Sequence, residues 1–336
     1  MFISQSAFHY IVVKWNLTKC FIIGVNSDQI YLMIKSPEKK MSAWVIDKLP
    51  AFRSAEYVPQ RFSDSTHELW RLELSQIFEG ESSAFLKICQ NTESSFWKIQ
   101  DHLFGLDLPK EIGRFSQLYD SILKLSPLKI PKLLKSESFL EDLEGKAYLL
   151  SSELDGSLVE AADVNVKMIQ QLALHIASLH QHQSDEGGNY ISPSIKPQEW
   201  PNRLKDTLLR FAKSSTLLIP DSILEQALES CIGIDEKSFV PMMPDLRWDQ
   251  FHQHQGDLYA LVDLDAFVLA PRELEFVLLE YILTAEESLD FINTYSRHHD
   301  LPDITHARPA YRLLLFLMEV LGEQDIQNWM NKEHLF

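Results

Sequence analysis

The sequence predicts an α+β protein built as two lobes, a small strand-rich one followed by a larger helical one. Three observations carry that expectation. Between residues 67 and 89 apolar and polar residues alternate in two runs around a glycine, the period-two signature of half-buried strands. From 166 to 183, and again over 272 to 332, apolar residues recur three and four apart, which is helical spacing. The chain has 336 residues, more than one small core needs and enough for two packed lobes. Strands first and helices second point to α+β rather than to an alternating β/α order.

Taken in order, residues 1–49 stand apart as an N-terminal extension. The run FHYIVVKWNLTKCFIIGV (8–25) is apolar in places, but Lys14 and Lys19 interrupt it. A spanning helix needs about 20 mostly apolar residues, and a signal peptide carries its charge ahead of the apolar run. The β-branched and aromatic content instead predicts short strands over 9–14, 20–24 and 29–34. SPEKKMS (36–42) is a polar break. Two readings stand for residues 1–40: an appendage on the main fold, or a product of a start upstream of Met41.

Residues 50–154 form the expected strand-rich lobe. HELWRLEL (67–74) and SAFLKIC (83–89) read as a hairpin turned at Gly80. EIGRFSQLYDSILKLS (111–126) spaces Ile112, Phe115, Leu118, Tyr119, Ile122 and Leu123 as a helix does. LKIPKLLK and GKAYLLSSEL add two strands, the second ending near Glu153. Residues 155–336 form the expected helical lobe. It has one long amphipathic helix over 166–183, two helices within 197–232, a hairpin of 250–254 and 258–263 turned at Gly256-Asp257, and helices through 272–332.

Composition is that of an ordinary globular protein, 45% hydrophobic and 24% charged. Cys20, Cys89 and Cys231 are scattered, which signals neither a disulfide framework nor a zinc site. This suits a reducing compartment, and the cytoplasm is the expected location. A net charge of −17 disfavours nucleic-acid partners, which need a basic face. No membrane partner is expected.

Phosphoryl transfer from ATP needs few protein parts. A strand lysine neutralises phosphates, a helix glutamate holds that lysine, and an aspartate orients or deprotonates the acceptor hydroxyl. An amide five residues later and an aspartate on the next strand hold magnesium. The run PMMPDLRWDQF places Asp245 and Gln250 five residues apart, and Asp263 follows across the Gly256 hairpin. Lys87 lies in AFLKI with apolar neighbours on both sides, and Glu111 begins the helix that follows. Glu93 is the alternative partner for Lys87.

In this order the motifs resemble the aminoglycoside phosphotransferase family, the kinase-like group that includes choline and fructosamine kinases. Its catalytic loop, H-G-D-x-x-x-x-N, is matched by Met243-Pro244-Asp245 through Gln250. Its metal strand, V-I-D-W or V-I-D-F, is matched by Leu261-Val262-Asp263-Leu264. APRELEF (270–276) fills the place of D-P-x-x-D-L, with Glu275 where an aspartate is usual. LALHIASLHQ resembles the helix before the catalytic loop, and GKAYLLSSELDGSLV the strand leading to the hinge. The likeness runs over about 50–330.

The resemblance implies a two-lobed protein kinase-like fold and an ATP- and magnesium-dependent transfer to a small hydroxylated molecule. A cationic acceptor would suit the acidic chain. Asp245 becomes the catalytic residue, Asp263 and Gln250 the metal ligands, and Lys87 the phosphate lysine braced by Glu111. Ser63, Ser65 and Thr66 become phosphate-loop donors, and 151–154 the adenine hinge.

The departures count as well. Met243-Pro244 replaces His-Gly, and proline fixes φ and removes an N–H. Gln250 keeps the amide oxygen on a side chain one methylene longer. The expected phosphate-covering stretch RFSDSTHE (61–68) has no glycine. Read singly, Lys87 is a solvent-facing strand lysine, Glu111 a first-turn acid and Asp245 a turn former; the ordered set outweighs those readings. His252 and His254 share a strand face without a third ligand. His180 reads as a packed helix residue, Asp265 as a strand-end acid or a second metal carboxylate, and Trp248 as packing for the catalytic loop. A kinase-shaped binding protein without catalysis is the alternative function; transfer of AMP instead of phosphate is a third.

Overall fold

Six strands lie side by side in the first half of the chain. They are β1 (Met33–Ile34), β2 (Phe52–Val58), β3 (His67–Phe78), β4 (Glu81–Cys89), β5 (Leu133–Phe139) and β6 (Lys146–Ser152), in the order β1-β2-β3-β4-β6-β5. The structure, a computed structural model, describes residues 33–34, 40–59, 65–90, 92–139 and 146–336. The strands expected at 9–14 and 20–24, and most of that at 29–34, lie outside the described residues, as does Ser63.

All neighbours in the sheet are antiparallel except β1 with β2. The β3–β4 hairpin turns on Glu79 and Gly80, both at positive φ (51° and 93°). Such a two-residue turn matches the strand twist, and Gly80 meets it without strain. Strand β2 has no clean alternation and was not expected from the sequence. It is recruited by pairing with β3, from Phe52↔Leu74 to Val58↔Leu69.

Between β4 and β5 the chain forms α2 (Ser95–Ile99), a π-helical turn over Gln100–Phe104, α3 (Leu108–Glu111) and α4 (Phe115–Leu125). The single helix expected over 111–126 is broken at Ile112–Arg114 into a 3-10 turn. Gly113 there donates its N–H to Ser138 Oγ at 2.8 Å. A Cβ on Gly113 would stand 3.1 Å from that oxygen and 3.2 Å from the Ser138 backbone nitrogen, so β5 approaches the turn closely only because the residue is glycine.

The helical lobe contains α5 (Val166–His180), α6 (Trp200–Ser214), α7 (Asp221–Cys231), α8 (Arg272–Ile282), α9 (Ala285–Tyr295), α10 (Arg308–Leu317) and α11 (Ile326–Met330). Two small sheets sit among them. One joins β7 (Ser157–Leu158) to the hairpin β10 (Phe251–His254) and β11 (Asp257–Leu261). The other joins β8 (Gly188–Asn189), β9 (Val240–Met242) and β12 (Val268–Ala270). Among the described residues no helix is long and apolar enough to cross a membrane.

The described residues form two cores, and the larger of them draws on both sides of 154/155. The smaller core is one face of the sheet, including Trp70, Leu72, Leu86 and Ile88, closed by Val45 of α1 (Ala43–Ile46). The larger core takes Trp97, Ile112, Leu118, Ala147 and Leu149 together with Ile169, Leu172, Phe267 and Leu314. Helix α4 is tied to the helical lobe by hydrogen bonds of Ser121 Oγ with Tyr190 Oη (2.5 Å). Just beyond its end, Ser126 Oγ bonds His175 Nδ1 (2.9 Å).

His175 is 2% exposed, and burial, with His180 nearby, pushes its pKa down from 6.5 to about 3. Within that window the unfolded imidazole binds a proton that the folded one does not. Its contribution to stability is therefore full above the unfolded value and is lost as pH falls, by up to about 1.4 kcal/mol per unit. Urea unfolding at pH 7 and pH 5 should show His175→Gln losing less stability on acidification than the wild type. Equal losses would assign the acid sensitivity to other groups.

Candidate active site

Strand alternation puts Ala84, Leu86 and Ile88 of β4 into the smaller core and turns Phe85 and Lys87 to the other side. That side opens on a cleft of about 640 Å³ between the lobes. Ser151, Ser152 and Leu154 line it where the hinge was expected, with Leu69, Phe85, Pro131 and Val262 as apolar walls. Asp245, Asp249, Gln250, Asp263 and Asp265 line it from the other lobe.

Lys87 Nζ donates to Asp263 Oδ1 at 2.7 Å and to Asp265 Oδ2 at 2.9 Å. Burial works against the lysine's charge, but the two carboxylates outweigh it and raise its pKa. For Asp263 burial is likewise outweighed by Lys87, and its carboxyl sits well below the usual range. Asp265 goes the other way: burial dominates and raises it. Asp263 was expected on a strand. It lies two residues past the end of β11, in an irregular segment that frees its backbone from the ladder and lets the carboxylate turn toward Lys87.

Asp245 sits in the turn after β9. Gln250 Nε2 donates to its Oδ2 at 2.9 Å, while Gln250 Oε1 accepts the Arg247 backbone N–H at 3.1 Å. The extra methylene lets Gln250 fold back and brace its own loop. Service as a metal ligand would fall to the second lone pair of its oxygen. Arg247 Nε donates to Asp249 Oδ1 at 3.1 Å, and Arg247 Nη1 stands 4.0 Å from Asp245 Oδ2. Burial pushes the Asp245 carboxyl up to about 6, with Arg247 opposing. Trp248 packs on the larger core beside Phe251.

Glu111 does not partner Lys87. Its carboxylate faces Arg114 at 3.3 Å, because the 3-10 break turns Glu111 away from the buried face of α4. The alternative Glu93 pairs with Lys98 at 3.0 Å. The residue of α4 that faces the lysine cluster is buried Tyr119, whose hydroxyl feels Lys87, Asp265 and Asp263. Ser65 and Thr66 line the cleft. Thr66 Oγ1 accepts from Trp97 Nε1 at 2.6 Å, and Ser95 Oγ donates across the lobes to Glu319 Oε1 at 2.7 Å.

Sequence reasoning gave no role to His67, whose Nδ1 lies 3.4 Å from Asp265 Oδ2. Burial, then Lys87, pushes its pKa down to about 3. His180 is buried as expected, hydrogen-bonded to Tyr295 Oη and Glu275 Oε2, both at 2.7 Å. His252 and His254 stay on the hairpin, where His252 Nδ1 bonds the Asp155 carbonyl at 3.2 Å and His254 lies against Tyr259.

The donors fit a hard divalent cation. Asp263 and Asp265 offer carboxylate oxygens, and Oδ1 of both Asp245 and Asp265 is buried without a hydrogen-bond partner. Among the described residues no group of three or more His, Cys, Asp or Glu is placed to hold a metal unaided. A magnesium ion here would complete its shell with phosphate and water, as is usual for it.

No family model matches the chain. No curated protein matches it by sequence. Solved structures do match by fold. A thermostable mutant of aminoglycoside phosphotransferase APH(4)-Ia, solved with ADP and hygromycin B, superposes with a TM-score of 0.57 at 12% identity, covering 85% of this chain and 94% of that one. The gentamicin complex of APH(2")-IIa gives 0.54 at 11%, over 88% and 98%. Macrolide 2'-phosphotransferase MphH from Brachybacterium faecium gives 0.51 at 10%, over 83% and 92%. The chain has the two-lobed protein kinase-like fold of these proteins.

Proposed function

We propose that the chain is an ATP-dependent phosphotransferase that moves the γ-phosphate to a hydroxyl of a small molecule. The observation that supports this most is the meeting of Lys87 with Asp263 at 2.7 Å in a cleft that also holds Asp245. Phosphoryl transfer is mainly positioning and charge neutralisation, and each part has a candidate here. The base would lie against Phe85 and Leu154 with its edge toward the hinge backbone. Lys87 would hold the phosphates, with Ser65 and Thr66 at the covering end. Asp245 would orient the acceptor hydroxyl and take its proton. Asp263, with the amide oxygen of Gln250, would hold Mg2+, which when bound neutralises phosphate charge. Asp249 and Glu319 add acid to the lining, which suits an acceptor carrying amino groups.

A second reading, a kinase-shaped binding protein without catalysis, has one observation in its favour: both ends of the Gln250 amide are already bonded within the loop. Calorimetry separates the two. The enzyme should bind ATP far more tightly with Mg2+ than without it, and Asp263→Asn should lose most of that affinity while its melting temperature holds. ATP bound equally well without metal, and unaffected by Asp263→Asn, would leave the second reading standing.

A further inference from the structure

A lysine that serves phosphates needs an acid that fixes its ammonium and leaves a proton direction open. Helix α4 offers none. Its buried face is Phe115, Leu118, Tyr119 and Ile122, and Glu111 upstream is turned to Arg114. Two carboxylates from one loop hold Lys87 instead, and they differ in exposure. The Asp263 side chain is 37% exposed to the cleft; that of Asp265 is 4% exposed. Asp265 is further fixed by its backbone N–H, which donates to Asp263 Oδ1 at 3.3 Å, while His67 Nδ1 stands 3.4 Å from its Oδ2. An ion pair at the cleft surface exchanges readily for an incoming ligand. One walled off from water has no substitute partner and persists.

We propose that Asp265 is the positioning residue that keeps Lys87 aimed into the cleft, in the role expected of a helix glutamate, and that Asp263 is the partner Lys87 releases when nucleotide arrives. Asp265 acts through the lysine and need not touch the nucleotide. The aim of Lys87 is then set by strand β4 and the loop after β11, and does not follow the position of α4. This rests on the nucleotide-binding reading above.

The test is a double-substitution cycle read as Mg–ATP affinity by calorimetry, with melting temperature as the check on folding. Asp265→Asn keeps the shape and removes the charge; it should weaken affinity by about 10- to 100-fold, the range of a charged hydrogen bond. Lys87→Met should weaken it comparably. The double variant should bind no worse than Lys87→Met alone, because Asp265 has nothing left to position. Asp265→Asn binding like the wild type would overturn the proposal. So would a further full loss in the Lys87→Met background, which would make Asp265 a direct ligand of the nucleotide's metal. If the wild type binds no ATP with or without Mg2+, the phosphotransferase reading itself fails and this proposal with it; wild-type binding beside an unaltered Asp265→Asn fails the proposal alone.

Discussion

Asp245→Asn is expected to lower turnover by about 10²- to 10⁴-fold, the contribution of a positioned general base, while changing Mg–ATP affinity only slightly. The reason is the division of labour in the cleft. On the proposed reading nucleotide contacts would fall to Lys87, residues 151–154 and Asp263, whereas Asp245 stands on the other loop with Oδ1 buried and unpartnered. Asparagine preserves the shape, but its side chain cannot take the acceptor's proton. Calorimetry and phosphate-transfer assays against hydroxylated amines and sugars would be run on the same preparations. Affinity and turnover falling together would make Asp245 part of the nucleotide site, and turnover unchanged would remove it from the chemistry.

Glu280→Ala should cost about 3–5 kcal/mol of stability, the penalty for leaving buried cations without their counter-charge. Glu280 is fully buried on α8. Its two oxygens take Arg308 Nε at 3.1 Å and Arg312 Nη2 at 2.7 Å from α10. The Leu335 N–H adds a bond to Oε1 at 3.1 Å. One carboxylate thus joins α8, α10 and the segment after α11. Urea denaturation gives the number. A loss below about 1 kcal/mol, the scale of an exposed pair, would mean that water reaches the arginines once the glutamate is gone.

What the sequence made legible follows the reach of each physical signal. The β3–β4 and β10–β11 hairpins were readable because alternation and a turn glycine are local. The nearness of Asp245 and Gln250 was readable because they lie five residues apart in one loop, but the sequence assigned Gln250 to a metal and gave no sign of its hydrogen bond to Asp245. The partner of Lys87 was not. Asp263 lies 176 residues further along the chain, and no periodicity encodes which acid ends beside a given lysine. Glu111 was the nearer candidate by sequence, but the close approach of β5 at Gly113 breaks the helix and turns that side chain away. Strands β8, β9 and β12 are only two or three residues long, and exist through one another's pairing. A window read one segment at a time has nothing to detect there.

The helices α2 to α4 come between strands in the chain, yet their apolar faces belong to the larger core, with α5 and α10. That sharing fixes how the molecule comes apart. A helical lobe melting alone would strip water-free cover from Leu118 and Ile122. The sheet melting alone would bare Ala147 and Leu149 on the side that faces those helices. Disorder in either half therefore costs the other, and the packing favours the two halves loosening together rather than one by one. Among the described residues, the outer face of the sheet has its own small cluster under α1, and that layer is expected to loosen ahead of the rest.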